Sequence, residues 1–183
     1  MQLRLESDRA EQSLNDTVES VIKQFRNEYD SKNVELIYLK GENVPAWINI
    51  NSSILASCLK SLVGNALQHT VKGEVLILIH LDQGTTQESK IRINVSDTGE
   101  GIESNKLRHI ENMMLNPNPP VKKKVLAKCT KEARHLGGHI GIRSTINRGT
   151  TIWFDVPIRM SESMMAAEKL RFLIKVLFLQ AIV

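Results

Sequence analysis

Apolar residues recur every three or four positions in two long stretches of this chain and alternate with polar ones in several short stretches. Leu14, Val18, Val21, Ile22, Phe25 and Tyr29 form the first helical stripe, with Ser13 and Asn15 as capping oxygens. Ile54, Leu55, Cys58, Leu59, Leu62, Val63 and Ala66 form the second, with Ser52 or Ser53 as the expected cap. Residues 1–6 alternate as a first strand would, and residues 34–39 and 46–50 read as short strands around a Gly41/Pro45 turn. Two further strands, 74–81 and 90–96, are joined through the polar turn 82–89. A helix over 103–114 ends at the proline-rich run 116–120, because proline cannot continue a helix interior. The next helix starts near Val121, carries Val125, Cys129 and Ala133 on one face with Leu126 beside them, and stops at Gly137-Gly138. Residues 139–145 and 150–156 pair as a final hairpin. Strands and helices gathered without strict alternation predict a two-layer α/β sandwich, a mixed and mostly antiparallel sheet with helices on one face.

The strand over 90–96 delivers a carboxylate into Asp97-Thr98-Gly99-Glu100-Gly101-Ile102. Two glycines after an acid at a strand end let the backbone approach a flat ligand, although Asp-x-Gly-x-Gly is also ordinary turn chemistry. On the second helix, Ser61, Asn65 and His69 are four apart and share a face away from the apolar stripe. Asn65 could offer its amide oxygen to magnesium, a hard cation that takes oxygen ligands and substrate phosphates. The same face also fits the plain solvent side of an amphipathic helix.

Three segments occur in a telling order: Leu59 to Thr70 around Asn65-Ala66, then Asp97 to Ile102, then Gly137-Gly138-His139 through Phe154. Together they resemble the ATP-binding catalytic domain of sensor histidine kinases, whose fold is shared with the gyrase, heat-shock-chaperone and mismatch-repair ATPases. The resemblance covers residues 1–158. It implies ATP and Mg2+ as cofactors, Asn65 as the metal ligand and Asp97 as acceptor of the adenine amino group. It also implies that Gly99 and Gly101 clear space for the base, that Ile102 walls the pocket and that Thr150 completes it. Thr150 equally suits a hairpin by β propensity alone.

Departures from the family pattern are as informative as the matches. Ser61 stands where the family has asparagine and its ATPase cousins a catalytic glutamate, and Gln68 replaces a typical lysine. The phenylalanine-rich box appears as Arg108-His109-Ile110-Glu111-Asn112-Met113, with Glu111 kept and both aromatics lost. In place of the second glycine box stands Val121-Lys122-Lys123-Lys124-Val125-Leu126-Ala127. Cations in a helix's first turn oppose its dipole, at roughly 0.3–1 kcal/mol each. A bound anion would reverse that sign, so Lys122, Lys123 and Lys124 are candidate phosphate holders; the alternative is a basic face on a degenerate loop.

Bulk properties narrow the partners. A net charge of +4 with only 4% aromatic residues gives no platform for stacking bases, which argues against nucleic acid. The N-terminus has no apolar signal core, and the apolar tail, with Lys175 near its middle, is shorter than the ~20 residues of a membrane span. No direct membrane insertion is therefore expected. That tail, 159–183, reads either as the cut-short opening strand of a response-regulator receiver or as a packing helix over 162–179. Cys58 and Cys129 make neither metal spacing nor a disulfide framework, which favours a reducing compartment and a cytoplasmic domain, whose parent can still be membrane-tethered.

No histidine precedes His69, and residues 1–12 are too short for a dimerisation helix pair. The expected function is thus phosphoryl transfer from ATP to a histidine that this chain lacks. Expected partners are an adenine nucleotide, a histidine-containing dimerisation or phosphotransfer domain and a response regulator. A non-catalytic docking domain in a phosphorelay is the alternative; an ATP hydrolase is disfavoured by Ser61.

Overall fold

Burial alternates along the central strands, and that alternation sets which way they face. The computed structural model describes residues 12–83, 88–116 and 124–159, together with Leu170 and Ile174. In β4 (Gly73–Gln83), Val75, Ile77 and Ile79 are buried while Leu76, Leu78 and His80 are only partly so. In β5 (Glu88–Asp97) the buried set is Ile91, Ile93 and Val95, and in β7 (Gly149–Arg159) it includes Ile152, Phe154 and Val156. The register sets Ile93 opposite Phe154 and Val95 opposite Ile152, so the apolar positions meet on one face.

With β2 (Val34–Lys40) and β6 (His139–Thr145), these strands form a five-stranded sheet in the order β2-β4-β5-β7-β6. β2 and β4 are parallel and every other pair is antiparallel, so the sheet is mixed as expected. A two-stranded sheet joins β1 (Gln12–Ser13) to β3 (Trp47–Ile48).

The helices supply the second layer. In α1 (Leu14–Gln24), Leu14, Val18 and Val21 are buried, and the Ser13 side chain caps it by accepting from the Asp16 amide. The helical stripe does not continue unbroken to Tyr29. The chain leaves helical geometry at Phe25 and resumes as α2 (Arg26–Lys32), which ends on Asn33 in a left-handed conformation. In α3 (Ser52–His69), Leu55, Cys58, Leu59, Leu62, Val63, Ala66 and Leu67 are buried. Its cap is Asn51 rather than Ser52 or Ser53: Asn51 Oδ1 accepts from the Ile54 amide at 3.0 Å. α4 (Ser104–Leu115) buries Ile110, Met113 and Met114. α5 (Lys124–His135) buries Leu126, Cys129 and Ala133, whereas Val125, expected on the same stripe, is exposed.

On the opposite sheet face, β5 and β7 carry a polar cluster. Arg92 donates to both Asp155 oxygens at 2.6 and 2.9 Å, with its guanidinium 5.8 Å from the Trp153 ring centroid.

The proposed first strand at 1–6 lies outside the described residues. So does the tail apart from Arg159, which ends β7, and Leu170 and Ile174, both of which are helical. Among the described residues no helix is long and apolar enough to cross a membrane.

Candidate functional site

Asp97 is the last residue of β5 and pairs in register with Thr150 at the start of β7. That register aims the Thr150 amide at the carboxylate: Asp97 Oδ1 accepts from Thr150 N at 3.2 Å and from Gly99 N at 2.9 Å. Both bonds fall on Oδ1, which leaves Oδ2 for a ligand. Asp97 is 8% exposed. Burial pushes its pKa above the ordinary carboxylate value, against the opposing pull of the Gly99 and Thr150 amides and the His69 ring.

A residue with no sequence signal holds the neighbouring walls together. Ser144 Oγ on β6 accepts from the Ile102 amide at 2.8 Å, donates to the Gly149 carbonyl at 3.0 Å and lies 2.9 Å from Thr150 Oγ1. The Asp97 loop is also tied to the β6–β7 turn, because Asn147 N donates to the Glu100 carbonyl at 2.7 Å. On the far side, His69 at the end of α3 meets Glu100, with Nδ1 3.0 Å from Oε1.

These elements enclose a cavity of about 690 Å³. Asn65 and His69 from α3, Asp97, Gly101 and Ile102 from β5 and its loop, and Thr150 from β7 all line it. Asn65 and Asp97, the two residues on which the sequence reading leaned most, thus share one hollow. Ser61 does not line it. Gly99 lines a smaller neighbouring recess with Lys72 and Thr98.

The space left by the two loop glycines is filled by backbone. A Cβ on Gly101, at φ +69°, would run into the Thr145 carbonyl, and one on Gly99 into the His69 carbonyl. They seat the loop against β6 and α3. Lys122 and Lys123 lie outside the described residues; Lys124 opens α5.

The sequence reading missed most of the apolar wall. Ile110 of α4, Leu126 of α5, and Ile142, Ile146 and Ile152 of the β6–β7 hairpin converge on the cavity. Each reads locally as an ordinary core residue. Glu100, Glu103 and Lys106 add charge at the rim.

Asp97 has a testable consequence for stability. An acid whose folded pKa is raised contributes stability below its unfolded pKa and loses it as pH rises through the folded value. Asp97→Asn should therefore raise the urea midpoint at pH 7, and the gain should shrink as pH falls through the carboxylate range. Parallel urea melts of the two proteins between pH 3.5 and 7 check this; a gain independent of pH would contradict it.

A family model described as histidine kinase-, DNA gyrase B- and HSP90-like ATPase matches residues 50–160, which include all the lining residues named above. The chain belongs to this ATPase family. Among curated proteins, this ATPase domain is 27% identical over 174 residues to the peroxide stress-activated histidine kinase mak2 of Schizosaccharomyces pombe. It is 30% identical over 156 residues to the hybrid signal transduction histidine kinase L of Dictyostelium discoideum. Those matches cover 86% and 81% of this chain but 7% and 9% of the relatives, so it spans less than a tenth of either. Full-length ShkA in complex with AMPPNP superposes with a TM-score of 0.71 at 21% identity, over 86% of this chain and 32% of that one. The catalytic domain of the histidine kinase ThkA gives 0.65 at 22%, over 81% and 96%. At these identities the superpositions establish a shared fold, that of the histidine kinase ATPase domain.

Proposed function

We propose that the cavity binds ATP with Mg2+ and that the domain is the catalytic module of a sensor histidine kinase. It would pass the γ-phosphoryl group to a histidine on a separate dimerisation or phosphotransfer domain, in a relay that ends on a response regulator. The observation that carries this reading is that Asn65 and Asp97 line one hollow with an isoleucine-rich wall. A flat purine suits an apolar slot with one buried acceptor at its end. Asp97 Oδ2 would accept from the adenine amino group, while Ile102 and Thr150 bound the same slot.

The donor set fits magnesium. Asn65 offers an amide oxygen, and magnesium commonly takes few protein ligands, completing its shell with phosphate and water. When bound, the ion would neutralise charge developing on the transferred phosphoryl group. Among the described lining residues, Asp97, Glu100 and Glu103 outnumber Lys106 and His69. Lys122, Lys123 and Lys124 are our candidates for the remaining phosphate contacts. We assign residues 1–158 to the module and 159–183 to an appended segment, and we place the module in the cytoplasm.

Titrating the protein with ATP, with and without Mg2+, tests the reading. A live site should bind at about 10⁻⁶ to 10⁻³ M with the metal present, and Asn65→Ala should erase the metal-dependent gain. No binding under either condition would overturn it. A second reading has its own support, the glycine-free stretch Val121-Lys122-Lys123-Lys124-Val125-Leu126-Ala127. There the domain keeps the fold as a docking surface without transferring phosphate. Nucleotide binding without phosphorylation of a histidine-containing dimerisation domain supplied in trans would favour it.

A further inference from the structure

Cys58 and Cys129 are 71 positions apart in sequence, yet α3 and α5 bring them together in the helix layer. Both are fully buried, and Cys129 Sγ lies 3.8 Å from the Cys58 carbonyl oxygen. One turn beyond Cys129, Glu132 turns its carboxylate into the same interface. The two sulfurs and one carboxylate oxygen all fall within 4.8 Å of one another. Glu132 Oε2 is buried with no hydrogen-bond partner, and among the described residues it is the one such side-chain oxygen or nitrogen. A buried carboxylate oxygen without a partner is costly, and packing alone gives no reason to keep it.

We propose that Cys58, Cys129 and Glu132 form a binding site for a thiophilic divalent cation of the zinc class. Two thiolates and a carboxylate are a donor set that zinc accepts, at about 2.3 Å to sulfur and about 2.0–2.2 Å to oxygen. Tetrahedral geometry at those lengths separates the donors by roughly 3.5–3.8 Å, so the cluster needs only a small contraction. Lys128 Nζ, 3.7 Å from Glu132 Oε1, offsets the surplus negative charge of such a site. Glu132, whose side chain is 16% exposed, is the edge by which an ion would enter.

The site would act on the cavity through the helices it joins. Cys58 lies two turns before Asn65 on α3, and Cys129 lies one turn after Leu126 on α5. Asn65 and Leu126 both line the cavity, so a metal at the cysteines would pin two of its walls at a set separation.

Cobalt(II) titration of the reduced chain under anaerobic conditions tests this. One equivalent should produce a near-ultraviolet thiolate-to-cobalt band with the visible bands of a tetrahedral ion, and zinc should abolish both. Glu132→Gln keeps both cysteines and the packing; it should weaken binding by no less than the ~10-fold typical of losing a partner one shell further out. Cys58→Ser should at least halve the thiolate band, since it removes one of the two sulfurs. The absence of a thiolate band in the folded wild-type protein would overturn the proposal, as would the weak spectrum of a six-coordinate ion. Neither readout involves nucleotide, so a failure here is separable from a failure of ATP binding.

Discussion

Asp97→Asn is expected to weaken adenine nucleotide binding about 10- to 100-fold, the equivalent of one lost hydrogen bond to a charged acceptor, roughly 1.5–3 kcal/mol. The variant is a clean one. Asparagine keeps an oxygen where the Gly99 and Thr150 amides donate, at 2.9 and 3.2 Å to Asp97 Oδ1. It replaces Oδ2, the atom those two amides leave free, with an amide that donates rather than accepts. Wild-type protein should also prefer ATP to GTP, since guanine presents a carbonyl where adenine presents an amino group, and the variant should narrow that preference. Calorimetric titration with both nucleotides checks the prediction. Unchanged ATP affinity, with circular dichroism showing an intact fold, would remove Asp97 from the site. The same substitution should stabilise the free domain at neutral pH, so loss of binding with gain of stability is the signature of a carboxylate kept for a ligand.

Gly149→Ala should be among the most destabilising single-methyl additions, at about 3 kcal/mol or more. Two costs coincide there. Gly149 sits at φ +100°, a conformation that L side chains rarely adopt, and a Cβ would run into the Asp97 carbonyl. Relief requires β7 to move off the end of β5, which would pull the Thr150 amide from Asp97 as well. Urea denaturation gives the stability change, and titration should show nucleotide affinity falling with it. Gly41 is the control: its φ is not positive, and a Cβ there meets the Ile79 carbonyl oxygen at 3.5 Å, ordinary contact. Gly41→Ala should change stability by less than about 1 kcal/mol. Equal losses at the two positions would refute the argument from close approach.

Much of the fold was legible because its signals are local. The stripes of α1 and α3 and the alternation of β4, β5 and β7 arise from side-chain periods of 3.6 and 2, which any window of ten residues displays. The errors were local too. The helix break at Phe25 has neither proline nor glycine to announce it, and Asn51 outcompeted two adjacent serines as the cap of α3. Along β4 and β5 the polar run 82–89 looked like a turn, whereas β4 reaches Gln83 and β5 starts at Glu88.

The candidate site divides in the same way. Asp97 and Asn65 could be named from the chain because three segments in order resemble the histidine kinase ATPase domain; alone, a strand-end acid before glycines is also turn chemistry and an amide on a polar helix face is also a solvent face. Ser144 could not, since its importance lies in three contacts with residues 5 to 42 positions away. The isoleucines of the cavity wall were equally silent, being indistinguishable in sequence from the core they adjoin. Even the glycines were half-read: that small residues were required was visible, but which carbonyl fills the space they leave was not.

Taken alone, then, the order of residues determined the helical stripes and the strand alternation, which follow from spacing along one segment; the succession of elements implied the sandwich, and three segments that resemble the family implied the two polar anchors. Only the tertiary structure decided that Asn65 and Asp97 open into a common hollow, that its wall is isoleucine and leucine, and that Cys58, Cys129 and Glu132 converge. Those facts depend on strand register and helix packing between segments far apart in the chain, where contact is set by the shared core and not by any local pattern.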